Sequence, residues 1–283
     1  MRRTVALVVA TALAACSSPP ERVATPAPQR TTAVSETPTA PGGRTRPDPA
    51  APRPEWLGQR VLPLRADGLG EIRPTPPILR DRRLETIDLL PVPGTDAFRA
   101  NVERVPKDVL ARSTWSTKCP VARADLAYVT VAFWGFDREV HTGELLVHRS
   151  VARDVVFVME KLHGARFPIE EMRITTRAEL DALPTGDGNN TGAFVCRPSV
   201  RSTTWSEHAY GLAIDVNPFH NPYVADDVVI PELASAYARR SWRRPGMILE
   251  GSVVEQAFAS IGWEWGGAWT SSKDYMHFSQ EGR

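Results

Sequence analysis

The apolar positions of this chain fall into regular patterns only from about residue 120 onward. Leu126 to Phe133 (LAYVTVAF) is rich in β-branched and aromatic residues, which predicts a strand, and Trp134-Gly135-Phe136-Asp137 predicts a turn after it. Glu144 to His148 follows Gly143 as a second strand. Between Arg149 and His163 the apolar residues sit at Val151, Val155, Val158, Met159 and Leu162, the spacing of one helical face, with Gly164 as a stop. Met172 to Thr175 predicts a short strand, residues 183–192 (LPTGDGNNTG) a loop, Leu212 to Val216 a strand, and Val253 to Ile261 a helix with Gly262 past its end. Strands and helices alternate without regular βαβ units, so the expected class is α+β.

Before residue 120 the signal weakens. Residues 57–112 are Pro-rich with isolated apolar patches such as Val61-Leu62-Pro63-Leu64 and Leu89-Leu90. They predict that residues 56–119 form an N-terminal extension wrapping the domain, with few regular elements. Residues 16–55 hold ten Pro among Thr, Ala, Gly and Arg and almost no large apolar side chain. Such a stretch cannot bury enough surface to offset chain entropy, and a disordered tether is expected. The first fifteen residues read as an address: Arg2 and Arg3, then a short apolar stretch from Val5 to Ala15, then the lipobox Leu13-Ala14-Ala15-Cys16. The expectation is a signal peptide over residues 1–15, lipidation of Cys16, and a mature protein outside the cytoplasmic membrane, anchored to it by acyl chains and facing the cell wall.

Composition narrows the classes. The chain has 283 residues, 42% of them hydrophobic, enough for a core. A formal net charge of +1 gives no global basic field, so no nucleic-acid partner is expected. No apolar run reaches the roughly 18 residues of a spanning helix. With Cys16 spent on lipid, Cys119 and Cys196 remain as an even pair, either a disulfide or two buried thiols too far apart to bridge.

The candidate chemistry sits in three short pieces. In Ser206-Glu207-His208-Ala209-Tyr210-Gly211-Leu212-Ala213-Ile214-Asp215, Gly211 permits a tight change of direction after His208. Leu212, Ile214 and Val216 then alternate with Ala213 and Asp215, so a carboxylate beside a very small residue shares the face opposite the core. The second piece, Lys273-Asp274-Tyr275-Met276-His277-Phe278, carries another carboxylate and another imidazole. A catalytic zinc takes three protein ligands and keeps one open position, and its water needs a base. The division of labour that follows has His208, Asp215 and His277 on the metal and Asp274 taking the proton. The third piece, Phe194-Val195-Cys196-Arg197, places in Arg197 a guanidinium that can hold an oxyanion or a carboxylate. Ser206 can orient His208, and Tyr210 can line the pocket or merely pack. Trp263, Trp265 and Trp269 with Gly266-Gly267 can wall a groove, or serve as core and turn. His141, His148, His163 and His220 are assigned to no metal.

SEHAYGLAIDVNP followed by WGGAWTSSKDYMHF closely resembles the M15 family of zinc peptidases, which holds D-alanyl-D-alanine carboxypeptidases of the VanY type and L-alanyl-D-glutamate endopeptidases. The family pattern SxHxxGxAxD, then [DE]xxH, is met by Ser206, His208, Gly211, Ala213, Asp215, Asp274 and His277. GAFVCR resembles the segment carrying the family's upstream arginine, which falls on Arg197. The resemblance spans roughly residues 120–283. It implies a hedgehog/D-Ala-D-Ala peptidase-like fold with a small antiparallel sheet flanked by helices, one zinc ion, and a peptidoglycan stem peptide as substrate. The reading from a different class is a wall-binding lipoprotein that keeps the metal fold and does no chemistry.

Overall fold

The structure, a computed structural model, describes residues 50–282. The expected leader, Cys16 and the tether as far as residue 49 lie outside the described residues. The last tether residues are not loose as expected. Ala50 is buried, Ala51 pairs with Leu84, and the Arg53 guanidinium bonds Glu170 at 3.0 Å and also Glu171. A stretch without apolar mass can still dock when its cation meets buried carboxylates, which the pattern of apolar positions does not report.

The largest sheet has the order β1 (Ala100–Arg104), β2 (Leu126–Trp134), β3 (Val140–His148), all antiparallel. Between β1 and β2 runs the short helix α1 (Lys107–Arg112), and after β3 comes α2 (Ala152–Gly164). Both faces of β2 are covered, which explains its nearly unbroken apolar run. Ala127, Val129, Val131 and Phe133 face α2 through Val155, Val158, Met159 and Leu162. Leu126 and Tyr128 face the other way, against Val105, Val109 of α1 and Phe194. The apolar spacing read for α2 is its buried face. The helix starts at Ala152 rather than Arg149, because the Arg149 and Val151 amides are still bonded to Asp125 and His148 carbonyls.

Residues 100–112 are more regular than the expected wrapping extension. β1 runs beside β2 from Ala100↔Val131 to Arg104↔Ala127. All five of its side chains are exposed, so it shows no hydrophobic alternation and its strand character comes only from backbone pairing.

Beyond α2 the elements shorten. The strand expected at 172–175 is only β4 (Glu171–Met172), followed by α3 (Arg177–Leu180), whose Thr176 and Glu179 form a capping box. β4 pairs in parallel with β5 (Asn190–Thr191), which lies inside the stretch expected as loop. A small sheet of β6 (Ala213–Asp215), β11 (His277–Ser279) and β9 (Glu264–Trp265), in that order, carries the candidate site. Another joins β10 (Lys273–Asp274), β7 (Tyr223–Ala225) and β8 (Val228–Ile230). The helix α4 (Val253–Ala259) backs the first: Phe258 stacks on Phe278 with centroids 4.0 Å apart, and Trp263 lies on Phe258. Small antiparallel sheets with helices on their apolar faces make the molecule α+β, as expected.

Candidate metal centre and active site

His208 is placed by local backbone chemistry. It lies in a single 3-10 turn, Glu207–Tyr210, whose preceding Ser206 caps it by accepting the His208 backbone N–H at 3.3 Å. Gly211 closes the turn at φ +73, and a Cβ there would sit 2.5 Å from the His148 backbone nitrogen. A left-handed residue against another strand's backbone has to be glycine. His208 Nδ1 lies 2.5 Å from the Ala193 carbonyl oxygen and donates to it. That bond sets the tautomer and leaves the Nε2 lone pair directed away from the backbone.

Asp215 and His277 are placed by strand pairing. β6 and β11 are antiparallel with the register His277↔Asp215, Phe278↔Ile214 and Ser279↔Ala213. Alternation buries Ile214 and Phe278 in the core and puts Asp215 and His277 together on the other face. His208 Nε2 is 3.2 Å from both His277 Nδ1 and Asp215 Oδ2, and His277 Nδ1 is 3.1 Å from Asp215 Oδ1.

Among the described residues these three form the group that could hold a metal, with all donor atoms within 4.8 Å of one another. Two imidazole nitrogens and a carboxylate oxygen, with the His208 tautomer locked by a carbonyl, are the donor set of a three-ligand zinc site with a position left open. The residues therefore fit the ion. Burial alone would raise Asp215, but His208 and His277 outweigh it and hold the carboxyl far below the usual range.

Asp274 sits beside this group on β10, opposite Tyr223. Its Oδ1 is buried and has no hydrogen-bond partner among the described residues. Burial, reinforced by the Asp215 charge and opposed by His277 and Arg197, pushes Asp274 up to about 7. Two carboxyl groups in one pocket are thus split, one ionised and one poised to gain and lose a proton near neutrality. Both line an open cavity of about 390 Å³ together with Arg197, Ser206, His208 and His277. Arg197 is among the residues that line it. Tyr210 is not among the lining residues: it stands two positions after His208, and in a three-residue turn positions two apart do not share a face.

The tryptophans divide their roles. Trp263 is core, and Trp265 braces the second piece, donating from Nε1 to the Tyr275 carbonyl at 2.9 Å. Trp269 lines the cavity, its ring 5.7 Å from that of His277. A Cβ on Gly266 would lie 2.7 Å from the Asp274 carbonyl oxygen, so that glycine lets the backbone approach Asp274 closely.

Residues 200–280 match the family profile described as D-alanyl-D-alanine carboxypeptidase, within the M15 peptidases. That stretch is an M15-family peptidase domain. No curated protein and no solved structure matches the chain. The match covers His208, Asp215, Asp274 and His277 and stops short of Arg197, which lies just before it in the chain and lines the same cavity. It is narrower than the resemblance over residues 120–283. The preceding segment is anchored by a Cys119–Cys196 disulfide with Cα atoms 5.7 Å apart, so the two thiols are bridged. The Cys196 amide also donates to Thr114 Oγ1 at 2.9 Å. Sequence reasoning did not anticipate the Ala193 carbonyl that orients His208, because a backbone acceptor has no residue type to recognise.

Proposed function

We propose that this M15 domain is a zinc-dependent peptidase of peptidoglycan stem peptides, of the D-alanyl-D-alanine carboxypeptidase type, acting in cell-wall remodelling outside the cytoplasmic membrane. The observation that carries the reading is the meeting of His208, Asp215 and His277 with a second carboxyl group, Asp274, pushed up to about 7 beside them. The mixed small-sheet architecture is compatible with the hedgehog/D-Ala-D-Ala peptidase-like fold. The disulfide supports an oxidising compartment, in keeping with lipidation at Cys16.

His208, Asp215 and His277 would hold the zinc. Bound there, it supplies Lewis acidity toward the oxygens of water and of the scissile carbonyl. Asp274 accepts the proton of the attacking water and returns it to the leaving amine, work suited to a carboxyl group that titrates near pH 7. Arg197 supplies positive charge for the oxyanion that develops on the carbonyl. The Ala193 carbonyl holds the His208 ring in its tautomer and orientation, and Ser206 caps the turn that carries the ring. A wall-binding protein without chemistry would gain nothing from burying Asp274 with Oδ1 left without a hydrogen bond among the described residues.

The test is mass spectrometry of purified muropeptides incubated with the zinc-loaded full chain. Loss of one terminal D-alanine supports the reading. Cleavage after L-alanine would move it to the endopeptidase type, and unchanged muropeptides in the presence of stoichiometric zinc would overturn it.

A further inference from the structure

Two walls of the active-site cavity are joined from outside by the N-terminal extension. Residues 63–71 form a tight hairpin: Leu64 bridges Gly70, Gly68 takes φ +84, and the Arg65 amide donates to the Leu69 carbonyl at 2.8 Å. The turn presents Arg65 and Asp67 together, 3.2 Å apart. Arg65 donates to the Asp227 backbone carbonyl at 2.7 Å and also pairs with the Asp227 carboxylate. Asp67 pairs with Arg201, and Arg201 in turn lies 3.9 Å from Asp227. Arg65, Asp67, Arg201 and Asp227 therefore close a ring of alternating charge drawn from three segments far apart in the chain.

The positions of Asp227 and Arg201 give the ring its meaning. Asp227 is in the turn between β7 and β8, whose Tyr223 and Ile230 line the cavity. Arg201 follows Ser199 and Val200, which line it as well. Arg201 stands at φ +56, a left-handed conformation that a non-glycine residue keeps only where its contacts over-determine it. Asp67 and Asp227 are both held below the usual carboxylate range, chiefly by hydrogen bonds from Arg201 and Arg65 respectively.

We propose that this four-residue ring is a clasp that positions the 199–201 loop against the β7–β8 hairpin and so sets how the peptide fits the cavity. Its members are positioning residues that touch no reacting atom. The inference rests on the peptidase reading for its kinetic consequence and on geometry alone for the clasp itself. Because the ring is partly exposed, salt screens it, so the clasp loosens as ionic strength rises.

The experiment compares the zinc-loaded full chain with Asp67→Asn, Arg201→Gln, the double variant and Arg201→Lys. Each neutralising substitution should raise KM about fivefold while kcat stays within about twofold. The double variant should be no worse than either single one, since both break the same ring. Arg201→Lys should recover most of the parent KM, and the rise of KM with salt should be seen in the parent and vanish in the neutral variants. Zinc content and thermal midpoint, unchanged throughout, show that the variants fold. Hydrogen exchange at residues 199–204 and 223–230 is the second readout, expected to accelerate in Asp67→Asn. Unchanged exchange there, or additive effects on kcat with KM unmoved, would overturn the clasp. A parent that hydrolyses nothing would sink the peptidase reading instead, and exchange would still decide the clasp.

Discussion

Asp215 and His277 are opposite each other across β6 and β11, with Oδ1 and Nδ1 3.1 Å apart although 62 positions separate them in the chain. The pairing of two strands supplies two of the three residues of the candidate metal centre, and the 3-10 turn bearing His208 completes it. On the proposed assignment, His277→Ala leaves two ligands, so both zinc and turnover should be lost. Metal analysis of the purified variant beside its muropeptide hydrolysis checks this. Full activity in a variant without zinc would remove the metal from the account.

Asp274→Asn separates base from ligand. The amide cannot accept a proton, yet it keeps the size of the side chain, and Asp274 is not in the three-residue donor group. The variant should keep one equivalent of zinc and lose about 10²–10⁴-fold in kcat, the usual contribution of a positioned proton acceptor. Loss of zinc along with activity would show that Asp274 is a ligand.

Gly211→Ala tests the turn that aims His208. The new methyl would meet the His148 backbone nitrogen at 2.5 Å from a residue at φ +73. Backbone strain of this kind costs about 1–3 kcal/mol, with the clash added to it. Chemical denaturation should show that loss, with zinc affinity falling in parallel as the turn shifts. A variant as stable as the parent would mean that the turn relaxes freely.

Acid stability should be governed by a buried cluster away from the candidate site. Arg82 donates to both Glu170 oxygens at 2.7 Å, and Asn189 bonds Glu170 and His220. Burial alone would raise Glu170, but the Arg82 charge outweighs it and holds the carboxyl below its ordinary range. Its contribution is therefore present above the ordinary pKa of about 4.3 and lost as pH falls through the folded value. Burial pushes His220 down to about 4. The unfolded chain then takes up that proton first, and stability declines as pH drops from about 6.5 toward the folded value. Because Asp274, raised to about 7, adds stability as pH falls through the same range, thermal midpoints of the Asp274→Asn variant measured between pH 7 and pH 4 should fall monotonically. Glu170→Gln should cost about 3–5 kcal/mol at neutral pH by leaving Arg82 buried without its counter-charge. A midpoint of Asp274→Asn unchanged on acidification would contradict both assignments.

Much of the candidate site was legible because its signals are local. Gly211 after His208, and Asp215 on the face opposite Ile214, are readable within ten residues, and the buried face of α2 is readable within fifteen. Tyr210 was left open between pocket and packing because sequence proximity to His208 says nothing of direction in a three-residue turn. β1 was missed because its side chains are all exposed, so only its pairing with β2 makes it a strand. The docking of Arg53, and the hairpin bearing Arg65 and Asp67, were missed because ion pairs across the fold leave no periodic trace.

The amino-acid sequence by itself determined which side chains are candidates for ligand and proton chemistry and which face of each short element they occupy, since both follow from residue type and backbone period. Only the tertiary structure decided that His277 pairs with Asp215, that Asp274 lies buried close enough to them to titrate near 7, and that the Cys119–Cys196 bridge fixes the segment carrying Arg197. Those outcomes depend on distances and solvent exclusion between residues far apart in the chain, and a linear pattern contains neither.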